Sequence, residues 1–278
     1  MNISEDLKKE KFRFKKQFGQ NFISDDHLLA KIVEAAEITP EDVVIEIGPG
    51  AATLTAALAE KAAQVIAIEI DKDLFPIIER RMAGYSNFEL VAGDAMKVDF
   101  DALAAKYEAK SYKVVANLPY YITTPIVMRF LEEGFRVSEL VIMVQQEVAD
   151  RFLANPGTKA YGAITAAINY YGSVSRAFNV PRTMFTPRPE VDSSIVKIKC
   201  YENKPFEADD EKLLRRVIKA AFGQRRKTLN NALKALNLPK EELDEALKTA
   251  EIDASLRGET LSIEEFVCLS NAISKISK

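Results

Sequence analysis

Histidine and cysteine are nearly absent from this chain of 278 residues, which contains one histidine and two cysteines. The single histidine, His27, almost excludes a histidine-based triad or a histidine-rich metal centre. Cys200 and Cys268 lie far apart, without metal-ligand spacing, so we expect two reduced thiols and no metal site. The chemistry of this protein is therefore expected to proceed without either residue type.

The sequence also lacks an excess of one charge and a long hydrophobic run. A net charge of -3 gives no global attraction to nucleic acid, so such a partner would need a local basic patch. No apolar run approaches the roughly 18 to 20 residues that span a bilayer. The charged N-terminus lacks the apolar core of a signal peptide, which predicts a cytoplasmic protein with no membrane partner.

Short apolar segments alternate with helical patterns over the first 200 residues. Each predicted strand is followed by 10 to 15 residues with helical spacing, typical of repeated βαβ units and a parallel sheet. Two further strands, close together, are predicted to pair at a sheet edge. The predicted strands are Val43–Ile47, Val65–Ile68, Phe88–Val91, Lys113–Ala116, Leu140–Val144, Ser173–Val180 and Ser194–Cys200.

The pattern changes after residue 203, where four helical segments follow without a strand: 208–221, 225–236, 240–249 and 262–274. We therefore predict three parts: a basic N-terminal arm and cofactor-capping segment (1–24), an α/β domain (25–203) and a helical C-terminal domain (204–278). In the arm, Lys8 to Lys16 holds six basic residues and one acidic residue. This composition is equally compatible with an arm that is only solvated and with an arm that contacts phosphates.

Acidic and glycine residues follow the predicted strands. Gly48-Pro49-Gly50 forms a strand-to-helix turn in which the main chain can approach a ligand closely. Glu69 ends the next strand, where its carboxylate can accept hydrogen bonds from ribose hydroxyls. Asp94 follows the third strand and suits the amino group of an adenine. These residues predict an adenosine-containing ligand, but they do not separate NAD from S-adenosylmethionine.

The tetrapeptide Asn117-Leu118-Pro119-Tyr120 favours S-adenosylmethionine. Pro119 disfavours helical geometry at Leu118, so the Leu118 carbonyl and the Asn117 side-chain oxygen can both project from the strand end. Two such acceptors can orient an aromatic amine toward a methyl donor and stabilise the charge that develops on its nitrogen. Tyr120 offers a face on which the base can stack. The pattern predicts methyl transfer to an adenine amine.

In this order the motifs resemble the family of small-subunit ribosomal RNA adenine N6-dimethyltransferases, the KsgA type. The resemblance covers nearly the whole chain, and its last two motifs are absent from generic methyltransferases. The matching segments are Phe18-Gly19-Gln20-Asn21-Phe22-Ile23, Val44–Gly50, Asn117–Tyr120, Gln146-Glu147-Val148, Phe185–Pro189 with Val191-Asp192-Ser193, and Ala221–Leu229. Ile23 stands where the family has leucine.

The resemblance implies a Rossmann-like class I methyltransferase fold with a seven-stranded, mostly parallel sheet and a small all-α C-terminal domain. It implies dimethylation of two neighbouring adenosines in a hairpin near the 3′ end of small-subunit rRNA, during small-subunit biogenesis, and places Phe185 near the target base as a second aromatic wall. We expect a monomer without metal. The implied contacts to S-adenosylmethionine are Asn21, Ile23, Gly48, Glu69, Asp94 and Asn117, to which we add Gly50 and Ala95.

A cluster of basic residues between positions 212 and 234 contains no acidic residue and predicts an RNA-binding surface. A solvated helical face is the simpler interpretation, yet the clustering in a chain of net charge -3 favours RNA. Flipped bases held on aromatic faces would suit Tyr120 and Phe185. The cluster contains Lys212, Arg215, Arg216, Lys219, Arg225, Arg226, Lys227 and Lys234.

Three alternatives stay open. A large-subunit rRNA methyltransferase of the antibiotic-resistance type would typically have Asn-Ile-Pro-Tyr, whereas this chain has Leu118. A DNA adenine methyltransferase would have Asp-Pro-Pro-Tyr and a target-recognition insert. The protein could also act chiefly as a ribosome-assembly or RNA-binding factor, with catalysis secondary.

Overall fold

A computed structural model describes residues 21–224 and 226–276. Contacts divide the chain into two compact units. The first holds the described residues up to Ala149 together with Val174–Cys200, and the second holds Asp150–Ser173 and the described residues from Tyr201 onward. The predicted boundary after residue 203 does not account for Asp150–Ser173, which group with the C-terminal helices. The division of the chain into a methyl-donor domain and an RNA-binding domain at residue 203 stays a prediction.

A seven-stranded sheet forms the centre of the first unit. The strands are β2 Val43–Ile47, β3 Gln64–Glu69, β4 Phe88–Ala92, β5 Tyr112–Asn117, β6 Val137–Gln145, β7 Gly172–Val180 and β9 Ser193–Cys200. Their order in the sheet is β4-β3-β2-β5-β6-β9-β7. β2 to β6 run parallel, and β9 is antiparallel to β6. This arrangement confirms the predicted fold class, and β7 neighbours β9 at the sheet edge as the sequence indicated.

A separate two-stranded ribbon pairs β1 Phe22–Ile23 with β8 Phe185–Thr186 in antiparallel register. Neither strand is predictable from the sequence pattern, because two residues are too few to show alternation. The pairing brings Ile23 opposite Phe185 and draws both into the hydrophobic core beneath the sheet. The ribbon thereby fixes the segment that precedes the first helix.

Helices follow the strands as the βαβ pattern predicted, with local signals at several ends. The Asp25 carboxylate accepts the Leu28 N–H at 2.7 Å and caps the first helix, and Asp99 caps another in the same way. The helices here are α1 Asp26–Ala35, α2 Thr53–Ala59, α3 Phe75–Met82, α4 Phe100–Ala105, α5 Thr123–Glu132 and α6 Gln146–Phe152. The segment between β3 and β4 is not one continuous helix, since a 3-10 turn, Lys72–Leu74, precedes Pro76 in the first turn of α3.

The second unit is helical, with α7 Ala163–Tyr171, α8 Glu211–Gly223, α9 Leu229–Leu233, α10 Lys240–Thr249 and α11 Ile263–Ile276. The buried Tyr161 hydroxyl donates to the Leu261 carbonyl at 2.9 Å, and its ring contacts Phe222. The predicted helix over 225–236 begins late: α9 starts only at Leu229 and continues as the 3-10 turn Lys234–Leu236. At the start of α9, the Leu229 N–H donates a hydrogen bond to the Leu256 carbonyl.

No helix within residues 21–224 and 226–276 is long and apolar enough to cross a membrane.

Candidate active site

One cavity of about 350 Å³ opens at the carboxyl ends of β2, β3 and β5 in the first unit. That is where ligands bind in open α/β sheets. Nearly every residue that was predicted from the sequence to bind the methyl donor or to act in catalysis lines this cavity. Its walls include Asn21, Ile23, Gly48, Gly50, Glu69, Asp94, Ala95, Asn117, Leu118, Pro119 and Tyr120.

The glycine turn leaves room for a ligand beside its main chain. Gly48 and Gly50 have φ of +68° and +59°, a conformation that glycine adopts without strain. A Cβ on Gly48 would meet no atom within 4 Å, whereas one on Gly50 would lie 2.8 Å from the Phe22 ring. Gly48 is therefore needed for its dihedral angle, and Gly50 also for the close packing of Phe22.

Glu69 is buried and held by its neighbours. Its Oε1 accepts the N–H groups of Ile70 at 2.9 Å and Asp71 at 2.8 Å. Burial raises the pKa of this carboxyl above its ordinary value, although the main-chain donors oppose the rise. The carboxylate is thus fixed in orientation at the cavity wall, as recognition of a sugar diol requires.

The loop after β4 is anchored by an arginine from α5. The Asp94 Oδ1 accepts the Met96 N–H at 2.9 Å, while the Ala95 carbonyl accepts a hydrogen bond from the Arg129 Nη1 at 2.5 Å. The Arg129 guanidinium also lies over the Phe100 ring, 5.0 Å from its centre. Arg129 therefore connects α5, the helix that follows the Asn117–Tyr120 tetrapeptide, to the Asp94 loop.

Asn117 is oriented by a residue almost a hundred positions away. Its side-chain Nδ2 donates to the Asn21 carbonyl at 2.9 Å, which leaves Oδ1 to accept a hydrogen bond from a substrate. The Pro119 carbonyl accepts from Ile122 and Thr123 in the following turn. In the described part of the chain, no hydrogen bond ends on the Leu118 carbonyl. The two acceptors predicted from the sequence are therefore both available at the cavity.

Tyr120 is half-buried, and its hydroxyl lies 3.2 Å from Ser193 Oγ at the start of β9. Phe185, the second predicted aromatic wall, is 5% exposed in the core under the β1–β8 ribbon and is not among the cavity-lining residues. Its contact with a target base stays a prediction.

The cavity wall also contains residues that were not predicted from the sequence. Glu46 is buried within β2, and among the described residues its Oε2 has no hydrogen-bond partner. Burial raises the pKa of Glu46 to about 8, and the nearby charge of Glu69 adds to the rise. The sequence does contain an indication of this position, because Glu46 is an acidic residue inside the otherwise apolar strand Val43–Ile47. Ile70, Met96 and Tyr121 also line the cavity and gave no signal as single apolar residues.

The predicted RNA-binding residues lie in the second unit, chiefly on α8. At ~100° per residue, Lys212, Arg216 and Lys219 share one face of the helix with Arg215 beside them. The buried residues Leu214, Val217, Ile218 and Ala221 occupy the opposite face. Arg226 and Lys227 are exposed after the helix, and Arg225 lies outside the described residues, as do the arm from Lys8 to Lys16 and Phe18 to Gln20.

Among the described residues, no group of three or more His, Cys, Asp or Glu side chains has the geometry to hold a metal ion.

The chain is similar to solved structures over most of its length. A dimethyladenosine transferase from Plasmodium falciparum superposes with a TM-score of 0.80 at 28% identity, covering 92% of this chain and 98% of that one. The 23S rRNA methyltransferase ErmE superposes with a TM-score of 0.69 at 25% identity, covering 91% and 100%. Both likenesses extend through the second unit as well as the sheet.

Sequence relatives are closer. The Ribosomal RNA small subunit methyltransferase A of Alkaliphilus metalliredigens (strain QYMF) is 50% identical over 270 residues, 96% of this chain and 94% of the relative. The protein of the same name from Moorella thermoacetica is 51% identical over 265 residues, 93% of this chain and 92% of the relative. The family described as Ribosomal RNA adenine dimethylase matches residues 11–275. With its acceptor tetrapeptide at the strand end and this match over almost its full length, the chain belongs to the ribosomal RNA adenine dimethylase family of methyltransferases.

Proposed function

We propose that this enzyme transfers methyl groups from S-adenosylmethionine to N6 of two adjacent adenosines in a hairpin near the 3′ end of small-subunit rRNA. Each adenosine receives two methyl groups, and the reaction belongs to small-subunit biogenesis in the cytoplasm. The names of the 50% and 51% identical relatives support the small subunit as the source of the RNA. The orientation of Asn117 by the Asn21 carbonyl carries the mechanism.

The cavity residues fit S-adenosylmethionine. The Gly48 turn leaves space beside its main chain, Glu69 can accept from the ribose hydroxyls, and Asp94 can accept from the adenine amine. Glu69 and Asp94 are both acidic side chains of the wall, so the wall complements a donor that carries a sulfonium and an ammonium. When bound, S-adenosylmethionine supplies an activated methyl group, and no metal or covalent enzyme intermediate is needed.

The protein contributes orientation of the target amine. The Asn117 Oδ1 and the Leu118 carbonyl accept the two N–H groups of the adenine amine, which turns its lone pair away from the ring and toward the donor. The same acceptors stabilise the positive charge that develops on the nitrogen until the methylated amine releases one proton to water. In the second transfer, one acceptor holds the single N–H that remains. Tyr120 holds the flipped base by stacking, as is usual for enzymes that modify bases. Positioning thus supplies most of the rate enhancement.

The experiment is methyl transfer from tritiated S-adenosylmethionine to unmethylated small and large ribosomal subunits, with the labelled nucleosides mapped by mass spectrometry. We expect N6,N6-dimethyladenosine at two neighbouring positions of small-subunit rRNA. The Asn117→Ala variant should lose about a hundredfold or more in kcat, as when one donor is removed from an oxyanion hole, while its affinity for the particle stays unchanged.

Label confined to large subunits would replace this proposal with the antibiotic-resistance activity. An Asn117→Ala strain that grows like wild type while a deletion strain does not would instead favour the assembly-factor function.

A further inference from the structure

The aromatic ring of Tyr120 is attached to a turn. Tyr120 lies three residues after Asn117, past the end of β5, and belongs to neither a helix nor a strand. The main chain of this turn is held by the Pro119 carbonyl, which accepts hydrogen bonds from Ile122 and Thr123. Those bonds fix the main chain but leave the two side-chain torsions of Tyr120 free to choose among rotamers. One orientation of the half-buried ring therefore requires a further contact.

The hydroxyl at the tip of the ring makes that contact. It lies 3.2 Å from the Ser193 Oγ, in a hydrogen bond in which either oxygen can donate. Across the described part of the chain, neither hydroxyl has another hydrogen-bond partner. Because β9 lies two strands from β5, the phenol points away from β2 and β3, which end at the glycine turn and Glu69. The contact is therefore on the side of the cavity opposite these donor-binding groups.

Ser193 is a rigid partner for the ring. It is fully buried and begins β9, where it pairs with Gln145 of β6. The preceding residue is also held, since the Asp192 carbonyl accepts the Gln146 N–H at 3.1 Å and its carboxylate accepts the Arg182 N–H at 2.9 Å. A group that is fixed before a ligand arrives reduces the freedom that must be lost on binding.

The next residue of β9 shows what a purely structural serine does here. Ser194 is equally buried, and its hydroxyl donates to the Asn179 side chain of β7 at 2.9 Å. That bond joins two neighbouring strands of the sheet. The bond of Ser193 instead joins the sheet to a ring that lines the cavity. The two serines thus differ in what their hydroxyls hold: a strand in one case and a site residue in the other.

We infer that Ser193 is a positioning residue of the methyl transfer, because its hydroxyl holds the Tyr120 ring in the orientation that receives the target base. This inference rests on the proposed function, in which Tyr120 stacks on that base. The ring is preset before the RNA arrives, so binding does not have to order its two torsions. Loss of the Ser193 hydroxyl should therefore impair the use of RNA and leave the affinity for the methyl donor unchanged.

The test is a double-mutant cycle on the full-length protein, measured by steady-state methyl transfer to unmethylated small subunits. Ser193→Ala and Tyr120→Phe each remove one end of the bond, so each should lower kcat/KM for the subunits about three- to tenfold, chiefly through KM. The double variant should be no worse than either single variant, since the bond is already lost. The matched control is Ser194→Ala, which removes an equally buried hydroxyl and should keep the wild-type kcat/KM.

Affinity for S-adenosylhomocysteine, measured by calorimetry, should stay within about twofold of wild type in both single variants. Losses that multiply in the double variant, or equal losses in Ser193→Ala and Ser194→Ala, would overturn the inference. Tyr120→Phe keeps the ring and leaves Ser193 in place, so a wild-type kcat/KM for that variant would contradict the inference even if Ser193→Ala folded poorly. If wild-type protein transferred no methyl group to small subunits, the proposed function itself would fail.

Discussion

At the scale of single residues, the site is built by side chains that orient other groups. The main-chain carbonyl of Asn21 decides which end of the Asn117 amide faces the cavity. Arg129 likewise acts on the Ala95 carbonyl from outside the cavity wall, and its side chain is only 10% exposed. A planar guanidinium can make that bond while it lies over Phe100, which an ammonium group cannot reproduce.

Glu46 opposes stability at neutral pH. Its carboxyl titrates at an ordinary pKa of 4.5 when unfolded but at about 8 when folded, because it is buried. Between these two values the folded protein retains a proton that the unfolded chain has released. The contribution of Glu46 to the free energy of unfolding is therefore fully present below about pH 4.5, and it is lost as the pH rises toward 8.

We predict that the Glu46→Gln variant does not show this loss of folding stability with rising pH. Each unit of upward shift is worth about 1.4 kcal/mol, so the free energy of unfolding of the variant at pH 8 should exceed that of wild type by at least about 1 kcal/mol. Above about pH 8, where folded Glu46 is ionised, the same variant should also bind S-adenosylmethionine more weakly, because it removes negative charge from the cavity wall. Urea unfolding between pH 5 and pH 8 measures the first effect and calorimetry the second.

Glu34→Gln, at an exposed position on α1, is the control and should follow the wild-type pH profile. Parallel stability profiles for wild type and Glu46→Gln would show that burial of Glu46 does not govern the pH dependence.

At the scale of elements, α8 separates an apolar face from a basic one. The apolar face packs inside the second unit and the opposite face holds Lys212, Arg216 and Lys219, while Glu211 in the first turn pairs with Lys204. A helix that needed only solubility would be served equally well by mixed charges. The uniform sign is what a surface for phosphates requires.

Replacing Arg216, Lys219 and Lys227 together by Gln should weaken binding to small ribosomal particles by tenfold or more at low salt. Each phosphate contact that is lost should also lower the slope of log K against log salt by roughly 0.7 to 0.9. The measurement is filter binding between about 50 and 200 mM salt. Lys240→Gln with Lys248→Gln, on the acidic helix α10, is the control. An identical slope in the triple variant would remove α8 from the RNA-binding surface.

At the scale of the molecule, the second unit is discontinuous in sequence. Asp150–Ser173 supplies α7 and the buried Tyr161, whose hydroxyl bonds to Leu261 and whose ring contacts Phe222. Tyr170 and Tyr171 add their hydroxyls to the Glu211 carboxylate. The C-terminal helices are therefore incomplete without a segment that precedes β7.

We predict that a fragment of residues 204–278 does not fold cooperatively. It would expose the faces of α8 and α11 that α7 covers, and it would leave buried groups such as the Leu261 carbonyl without partners. Thermal denaturation followed by circular dichroism should show a broad, shallow transition. A chain that joins 150–173 to 201–278 through a flexible linker is the control and should melt in one sharp step. A sharp transition of the shorter fragment would restore the boundary at residue 203.

The sequence by itself determined the sheet and most of the cavity wall. Parallel strands end at one edge, so Gly48, Glu69, Asp94 and Asn117 had to meet once the strands were recognised. Tertiary structure decided what local periodicity does not encode. The bond between Asn21 and Asn117, the pairing of Ile23 with Phe185, and the membership of Asp150–Ser173 all join distant segments. Such contacts depend on how complementary surfaces pack. They are not visible in the periodicities of about 2 and 3.6 residues that indicate strands and helices.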